Sequence, residues 1–148
     1  MRHRVAGKAF HRNANHRKAL LRNLVTSLFD HLKIETTVAK AKETRKIAER
    51  LVTLGKKGDL QSRRLALSRI PNNKIISKLF NEIAPNIKRD SGYLRVLKTR
   101  FRAGDNSSMA ILEFVDYDAL IGGTEEKAEK KEKKAKPEKK AKEETEDK

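Results

Sequence analysis

The amino-acid sequence predicts an α+β domain in which about four helices pack on a small sheet. Three observations predict this fold class. Apolar residues recur at three- and four-residue spacing in the first half of the chain, two β-rich runs joined by a turn-forming loop follow, and one short β-rich segment lies between the first two helices. The C-terminal hairpin and the short early strand can form one sheet, and the helices then cover one of its faces.

The first 14 residues are predicted to form an extended basic arm, because their few apolar residues follow no helical or strand period. Seven cations precede Asp30, the first carboxylate of the chain: Arg2, Arg4, Lys8, Arg12, Arg17, Lys18 and Arg22. Such cations repel one another in the free protein and are stabilised only when phosphate groups neutralise them. We therefore expect residues 1–14 to be an RNA-binding arm.

The α+β domain is predicted to span residues 15–116, and its first helix runs from an N-cap at Asn15 to about His31. Its apolar stripe consists of Leu20, Leu21, Leu24, Val25, Leu28, Phe29 and Leu32. Lys18 and Arg22 lie one turn apart on the flank of that stripe, and Arg17 extends the stripe past its N-terminal end. The start of this helix can therefore present cations beside a buried face.

A short strand and a long helix are predicted next. Residues 33–36 alternate and are rich in branched side chains, which is typical of a strand. Thr36 or Thr37 then caps a second helix over about residues 38–57, which ends at Gly55 or Gly58. The second helix carries an apolar arc on one side and a charged arc on the other, so it is expected to pack one face against the core.

Two shorter helices and a hairpin complete the predicted domain. Asp59 can cap a third helix that runs to Ile70 and is stopped by Pro71. Either of the two asparagines after Pro71 can cap a fourth helix, which stops near Pro85. Residues 93–101 and 109–115 are β-rich runs and predict an antiparallel hairpin. The cations along its first strand are Arg95, Lys98, Arg100 and Arg102.

Residues 117–148 are predicted to be a disordered Lys/Glu-rich tail. From Gly122 onward they contain no aromatic or branched aliphatic residue that could be buried, so burial could not offset the entropy of ordering them. Residues 1–116 hold 26 Lys and Arg against 10 Asp and Glu, whereas the tail holds ten of each sign. The net charge of +16 therefore belongs to the arm and the domain.

This charge, with a pI near 10.2, favours a polyanionic partner, and nucleic acid is the first choice. No apolar run approaches the ~20 residues that span a bilayer, and the first residues lack a signal-peptide pattern. The chain has no cysteine, which agrees with a reducing compartment. We therefore expect a cytoplasmic protein that uses neither a membrane nor a small-molecule substrate.

Catalytic and metal-binding patterns do not occur in the sequence. The four histidines, His3, His11, His16 and His31, have spacings that match no zinc signature. No Walker-type, GxGxxG or GxSxG motif is present, and the carboxylates do not converge as an acid/base pair. We expect no catalytic residue, no metal and no cofactor.

Not every basic stretch predicts an RNA contact. The second helix carries Glu43 and Glu49 among its lysines, so its charged arc is interpreted as an ordinary solvated face with intrahelical pairs. The chain holds only five phenylalanines and two tyrosines, and neither hairpin strand carries an RNA-stacking aromatic motif. We therefore expect the arm and the start of the first helix to bind RNA, chiefly through the shape of its backbone.

Four segments of the sequence resemble the bacterial large-subunit ribosomal protein seventeen family. They are MRHRVAGK at residues 1–8, HRKALLRNLVTSLFDH at 16–31, IETTVAKAKETRKIAERLVTLGKKGD at 34–59 and GYLRVLKTRFRAGDNSSMAILEFVD at 92–116. The matching motif residues are Arg2, His3, Arg4, Gly7, His16, Arg17, Leu20, Arg22 and Asn23. The resemblance covers essentially the whole domain. Ser91 and Gly92 stand where the family commonly has a Gly-Gly pair, and many members lack the Lys/Glu tail.

The resemblance implies a structural component of the large ribosomal subunit that binds large-subunit ribosomal RNA near the nascent-chain exit side and has other ribosomal proteins as neighbours. The family's fold, helices packed on a short sheet, agrees with the fold predicted from the residues. The predicted RNA-binding residues are Arg2, His3, Arg4, Lys8, Arg12, His16, Arg17, Lys18 and Arg22.

Two other classes of protein share some of these features. A free-standing nucleic-acid regulator would share the charge but should show a recognition helix that enters a groove and a dimer surface. An RNA-processing enzyme would need catalytic groups that the sequence does not offer.

Overall fold

Helices and a three-stranded sheet make up the part of the chain that the computed structural model describes, which is residues 7–117 and Leu120. In chain order the elements are α1 (Ala14–His31), β1 (Lys33–Thr37), α2 (Val38–Lys57), α3 (Leu60–Arg69), α4 (Asn73–Lys78), a π-helical turn (Leu79–Ile83), α5 (Ala84–Asn86), β2 (Leu94–Phe101) and β3 (Ser108–Phe114). Because α4, the π-helical turn and α5 run on without a break, they form the predicted fourth helix. The predicted α+β fold is confirmed.

The sheet is antiparallel, and its strand order is β1-β3-β2. The predicted hairpin is confirmed as β2 and β3, and the early strand β1 pairs with the free side of β3. One row across the sheet joins Lys33, Glu113 and Arg95. The pairing of β2 with β3 shifts between Lys98 and Phe101, where three steps along β2 match two along β3. This bulge kinks the outer half of β2.

The hydrophobic core lies between the helices and one face of the sheet. Strand β3 contributes Ala110, Leu112 and Phe114 from alternate positions, and all three are fully buried. The ring of Phe114 lies 6.3 Å from the ring of Phe29 on α1, measured between centroids. Helix α2 buries residues at helical spacing, namely Ala41, Ala48, Leu51 and Val52. The predicted bounds of α2 are confirmed, and Gly58 ends the helix with a left-handed backbone at φ 73°.

Helix α1 begins at Ala14 because Asn13, rather than the predicted Asn15, is its N-cap. The Asn13 side-chain oxygen accepts a hydrogen bond of 2.9 Å from the backbone N–H of His16. That bond satisfies one of the N–H groups that have no partner within the helix. The prediction at Asn15 was wrong because two asparagines stand close together, and the residue composition alone does not say which one leaves the helical conformation.

Replacing Asn13 with alanine is expected to lower the free energy of unfolding by about 1 kcal/mol, because it removes this cap. Asn15→Ala is the matched control, since Asn15 lies inside α1, where alanine is the best helix former. Urea unfolding of both variants measures the difference. Equal losses of stability in the two variants would contradict the assignment of the cap.

A π-helical turn lies directly before Pro85. Proline donates no backbone hydrogen bond, and its ring crowds the preceding helical turn. The wider π turn at Leu79–Ile83 accommodates that change, and the helical segment then ends at Asn86. The predicted stop near Pro85 is therefore confirmed to within one residue.

The core extends past Asp116, the predicted end of the domain. Tyr117 packs against the core, and the Lys33 ammonium lies 5.7 Å from the centre of its ring. Leu120 is only 2% exposed, and its backbone N–H donates to the Asp116 carbonyl. Packing therefore reaches at least Leu120, because the chain carries two more apolar side chains beyond β3. The remainder of the predicted tail lies outside the described residues.

Candidate nucleic-acid interface

Six of the nine predicted RNA-binding residues fall within the described part of the chain, and Arg2, His3 and Arg4 lie outside it. Five of the six are exposed: Lys8, Arg12, His16, Lys18 and Arg22. The sixth, Arg17, is half-buried, and its guanidinium donates to the Arg12 carbonyl at 3.4 Å. The structure divides these residues between two surfaces, with Arg12 and His16 on the stretch of chain that connects them.

A tight turn shapes this connecting stretch. The backbone N–H of Arg12 donates to the carbonyl of Ala9 at 3.1 Å, and the two residues between them have positive φ angles, 56° at Phe10 and 51° at His11. Side chains other than glycine rarely occupy this left-handed region because Cβ approaches the backbone. The arm that was predicted to be extended therefore reverses direction before it enters α1.

The first surface is a cleft between α1 and the end of α3, which we call the helical cleft. It is lined by Arg17, Lys18, Leu21, Arg22, Ile47, Ser68, Arg69 and Ile70 and has a volume of about 340 Å³. Three of its cations were predicted as RNA-binding residues. Arg69 was not, because it is distant in the sequence and only the packing of α3 brings it beside α1.

The second surface is a groove between α2 and the hairpin, which we call the sheet groove. Lys8 of the arm, Lys42 of α2 and Lys98 of β2 all line it, together with Val38. Arg100 also lines the groove, and its guanidinium lies 3.5 Å from a carboxylate oxygen of Glu35. The arm, the second helix and the hairpin thus place cations on one continuous surface.

Some cations of the sheet groove are held in ion pairs, whereas others on the two surfaces have no carboxylate partner among the described residues. On α2, Arg45 pairs with Glu49 at 2.8 Å and Lys46 pairs with Glu43 at 2.9 Å. The prediction of intrahelical pairs on this face is confirmed. Among the described residues, seven cations of the two surfaces form no ion pair with a carboxylate: Lys8, Arg17, Lys18, Arg22, Lys42, Arg69 and Lys98. These cations are free to bind external anions.

The hairpin loop beside the sheet groove holds one carboxylate, Asp105. Arg102 donates to it from Nε at 2.9 Å and from a terminal nitrogen at 2.5 Å, and the Ser107 hydroxyl donates at 2.8 Å. These hydrogen bonds, chiefly that from Arg102, hold the pKa of Asp105 well below its ordinary value. The Asp105 carboxylate therefore stays ionised and pairs with the guanidinium of Arg102 within the loop.

Comparison with known proteins gives consistent matches. The sequence profile of a family described as "Ribosomal protein L17" matches residues 20–115. A protein of Thermodesulfovibrio yellowstonii named "Large ribosomal subunit protein bL17" is 61% identical over 118 residues, which cover 79% of this chain and 89% of the relative. The chain belongs to the ribosomal protein L17 family. Relatives with the same name from Desulfotalea psychrophila and Mesorhizobium japonicum are 50% and 47% identical over 129 residues, which cover 86% of this chain and 100% and 90% of the relatives.

The segment that matches the L17 family profile contains most of both surfaces. Arg22 and Arg69 of the helical cleft and Lys42 and Lys98 of the sheet groove all lie within residues 20–115. The turn at Ala9–Arg12 and the first two cations of α1 precede it. The family profile therefore describes the body of the interface. Ahead of the profile, Lys8 of the arm adds a cation to the sheet groove, and Arg17 and Lys18 of α1 add two to the helical cleft.

Over residues 7–117 and Leu120, no group of three or more histidine, aspartate or glutamate side chains is arranged to hold a metal ion. None of the described helices combines the length and the apolar character needed to cross a membrane.

Proposed function

We propose that this L17-family protein is a structural constituent of the large ribosomal subunit, where it binds large-subunit ribosomal RNA without catalysing a reaction and supports translation. The observation that carries the proposal is the set of unpaired cations on two adjoining surfaces of an L17 fold. Unpaired cations gain most from phosphate because they do not have to give up a carboxylate partner first. The names of the relatives support the same assignment.

The proposed RNA contacts are the residues predicted from the sequence together with three that the fold adds. The predicted set is Arg2, His3, Arg4, Lys8, Arg12, His16, Arg17, Lys18 and Arg22. The added residues are Lys42, Arg69 and Lys98, which lie beside members of that set in the sheet groove and the helical cleft. Within the cytoplasmic large subunit, the proposed position is near the nascent-chain exit, with other ribosomal proteins as neighbours.

Sedimentation of an epitope-tagged chain in bacterial lysate tests this function. At moderate salt, the tagged protein is expected to migrate with the large subunit on a sucrose gradient. Ribonuclease treatment of the lysate should shift it to the top of the gradient, because RNA is the proposed partner. Migration with chromosomal DNA, or at the top of the gradient without ribonuclease, would contradict the proposal and favour a free-standing regulator.

Crosslinking within intact subunits tests the proposed position and contacts. Crosslinks from the predicted arm and from Arg69 are expected to fall on large-subunit RNA that surrounds the tunnel exit. Crosslinks to RNA on the face that contacts the small subunit would place the protein elsewhere and would overturn the proposed position.

A further inference from the structure

The helical cleft has an apolar floor beneath its cations. The floor consists of Leu21 on α1, Ile47 on α2 and Ile70 after α3. Leu21 and Ile47 are half-buried, so they expose apolar surface to the cleft. Ile70 is only 2% exposed and joins the floor to the hydrophobic core. An apolar surface of this kind at the bottom of a cleft is stabilised when a ligand covers it.

Four cations surround this floor. Arg17, Lys18 and Arg22 come from α1, and Arg69 comes from the last turn of α3. Among the described residues, no carboxylate lines the cleft, and none of the four cations forms an ion pair with one. Cations that line one cleft repel one another until anions bind between them. The cleft is therefore built for a ligand that combines a flat apolar group with negative charge.

We propose that the helical cleft holds one unstacked nucleotide of RNA, with its base over the apolar floor and its flanking phosphates on the four cations. The inference rests on the proposed RNA-binding function and adds what the cleft recognises. A nucleotide is the unit of RNA that carries an apolar face and an adjacent negative charge. A paired helix exposes phosphates, sugars and base edges but no flat base face, because its bases are stacked on one another.

Size and geometry fit a single base. The cleft volume of about 340 Å³ lies at the lower end of the range for small-molecule pockets, roughly 300–1,000 Å³. The planar guanidinium groups of Arg17, Arg22 and Arg69 can stack on a base as well as bind phosphate. A lysine ammonium can bind phosphate but has no flat face to stack on a base. Recognition of RNA by this protein therefore includes a bulged or looped nucleotide, in addition to the backbone shape that the sequence predicts.

Two hairpin RNAs of one length provide the test. One carries a single bulged 2-aminopurine in its stem, and in the other the same base is paired. The wild-type protein is expected to bind the bulged hairpin roughly five- to tenfold more tightly. This ratio corresponds to about 1 kcal/mol or slightly more of binding free energy, gained when the bulged base covers the apolar floor. The 2-aminopurine fluorescence should change on binding only in the bulged hairpin, because only that base enters the cleft.

Single substitutions separate the contribution of the apolar floor to RNA binding from that of the cations. Leu21→Gln makes the floor polar and should reduce the preference for the bulged hairpin to less than about twofold, with little change in binding to the paired hairpin. Leu97→Gln is the matched control, because Leu97 is a 43% exposed leucine on β2 outside the cleft. Arg69→Gln should weaken binding to both hairpins and should also reduce the fluorescence change. Thermal unfolding of each variant checks that the fold is kept.

The outcomes distinguish the inference from the proposed function. If the wild-type protein binds both hairpins equally, or if Leu21→Gln keeps the full preference, the cleft does not hold a base, although RNA binding stands. That result would also be expected if a protein segment occupied the cleft. If the wild-type protein binds neither hairpin and does not sediment with the large subunit, both the function and the inference are wrong.

Discussion

Replacing Arg17, Lys18, Arg22 and Arg69 with glutamine is expected to weaken binding to large-subunit RNA by roughly a hundredfold or more at 0.1 M salt. Each cation that binds a phosphate releases condensed counterions, which contributes ~0.7 to 0.9 to the slope of log K against log salt. If all four bind phosphate, the magnitude of that slope falls by about 3 in the variant. Titrations across a salt series measure both quantities with one RNA fragment.

The matched control removes the same formal charge from cations that already have partners. Arg45, Lys46, Arg100 and Arg102 pair with Glu49, Glu43, Glu35 and Asp105, and their side chains are 43% to 73% exposed. Their replacement by glutamine is expected to lower the slope by less than about 1.5, because paired cations hold fewer phosphates. An equal or larger slope change in this control would show that net charge, and not the absence of a partner, decides RNA binding.

Phe114→Ala is expected to lower the free energy of unfolding by about 3–5 kcal/mol, because it leaves a large cavity at the centre of the core. Phe114 is fully buried on β3 and lies against Phe29 of α1, so its ring joins the sheet to the helices. For a domain of this size, such a loss lowers the melting temperature by more than about 10 °C. Thermal unfolding followed by circular dichroism measures it.

Phe101→Ala makes the same chemical change on the neighbouring strand and serves as the control. Phe101 ends β2 and is 66% exposed, so its truncation is expected to change stability by no more than about 0.5 kcal/mol. Loss of stability in both variants to the same degree would mean that the outer end of β2 packs more tightly than the structure shows.

Helix α2 and the hairpin could be predicted from the sequence because their patterns are long and have clear ends. Gly58 marks the end of α2 by its left-handed backbone, and two β-rich runs on either side of a polar loop define β2 and β3. Both signals are local. The N-cap of α1 was the exception, because Asn13 and Asn15 are chemically equal and only the path of the chain selects one of them.

Half of the candidate interface could be predicted, and the other half depends on tertiary packing. Cations of the arm and of α1 stand out in the sequence because no carboxylate precedes Asp30. Arg69 and Lys98 do not stand out, because they are brought to the interface by α3 and β2. Similarly, the apolar period of α1 includes Leu21, yet periodicity cannot say that its neighbours leave it half-exposed as the floor of a cleft.

The bulge in β2 also affects how the protein behaves before it meets RNA. Strand β2 is an edge of the sheet, and a free edge can recruit a strand from another molecule and start aggregation. The irregular register between Lys98 and Phe101 interrupts the row of backbone groups that such a strand would need. Lys98 and Arg100, both exposed beside the bulge, add charge repulsion between two copies of the edge. The same two cations that line the sheet groove therefore help to keep newly made chains apart until they are assembled.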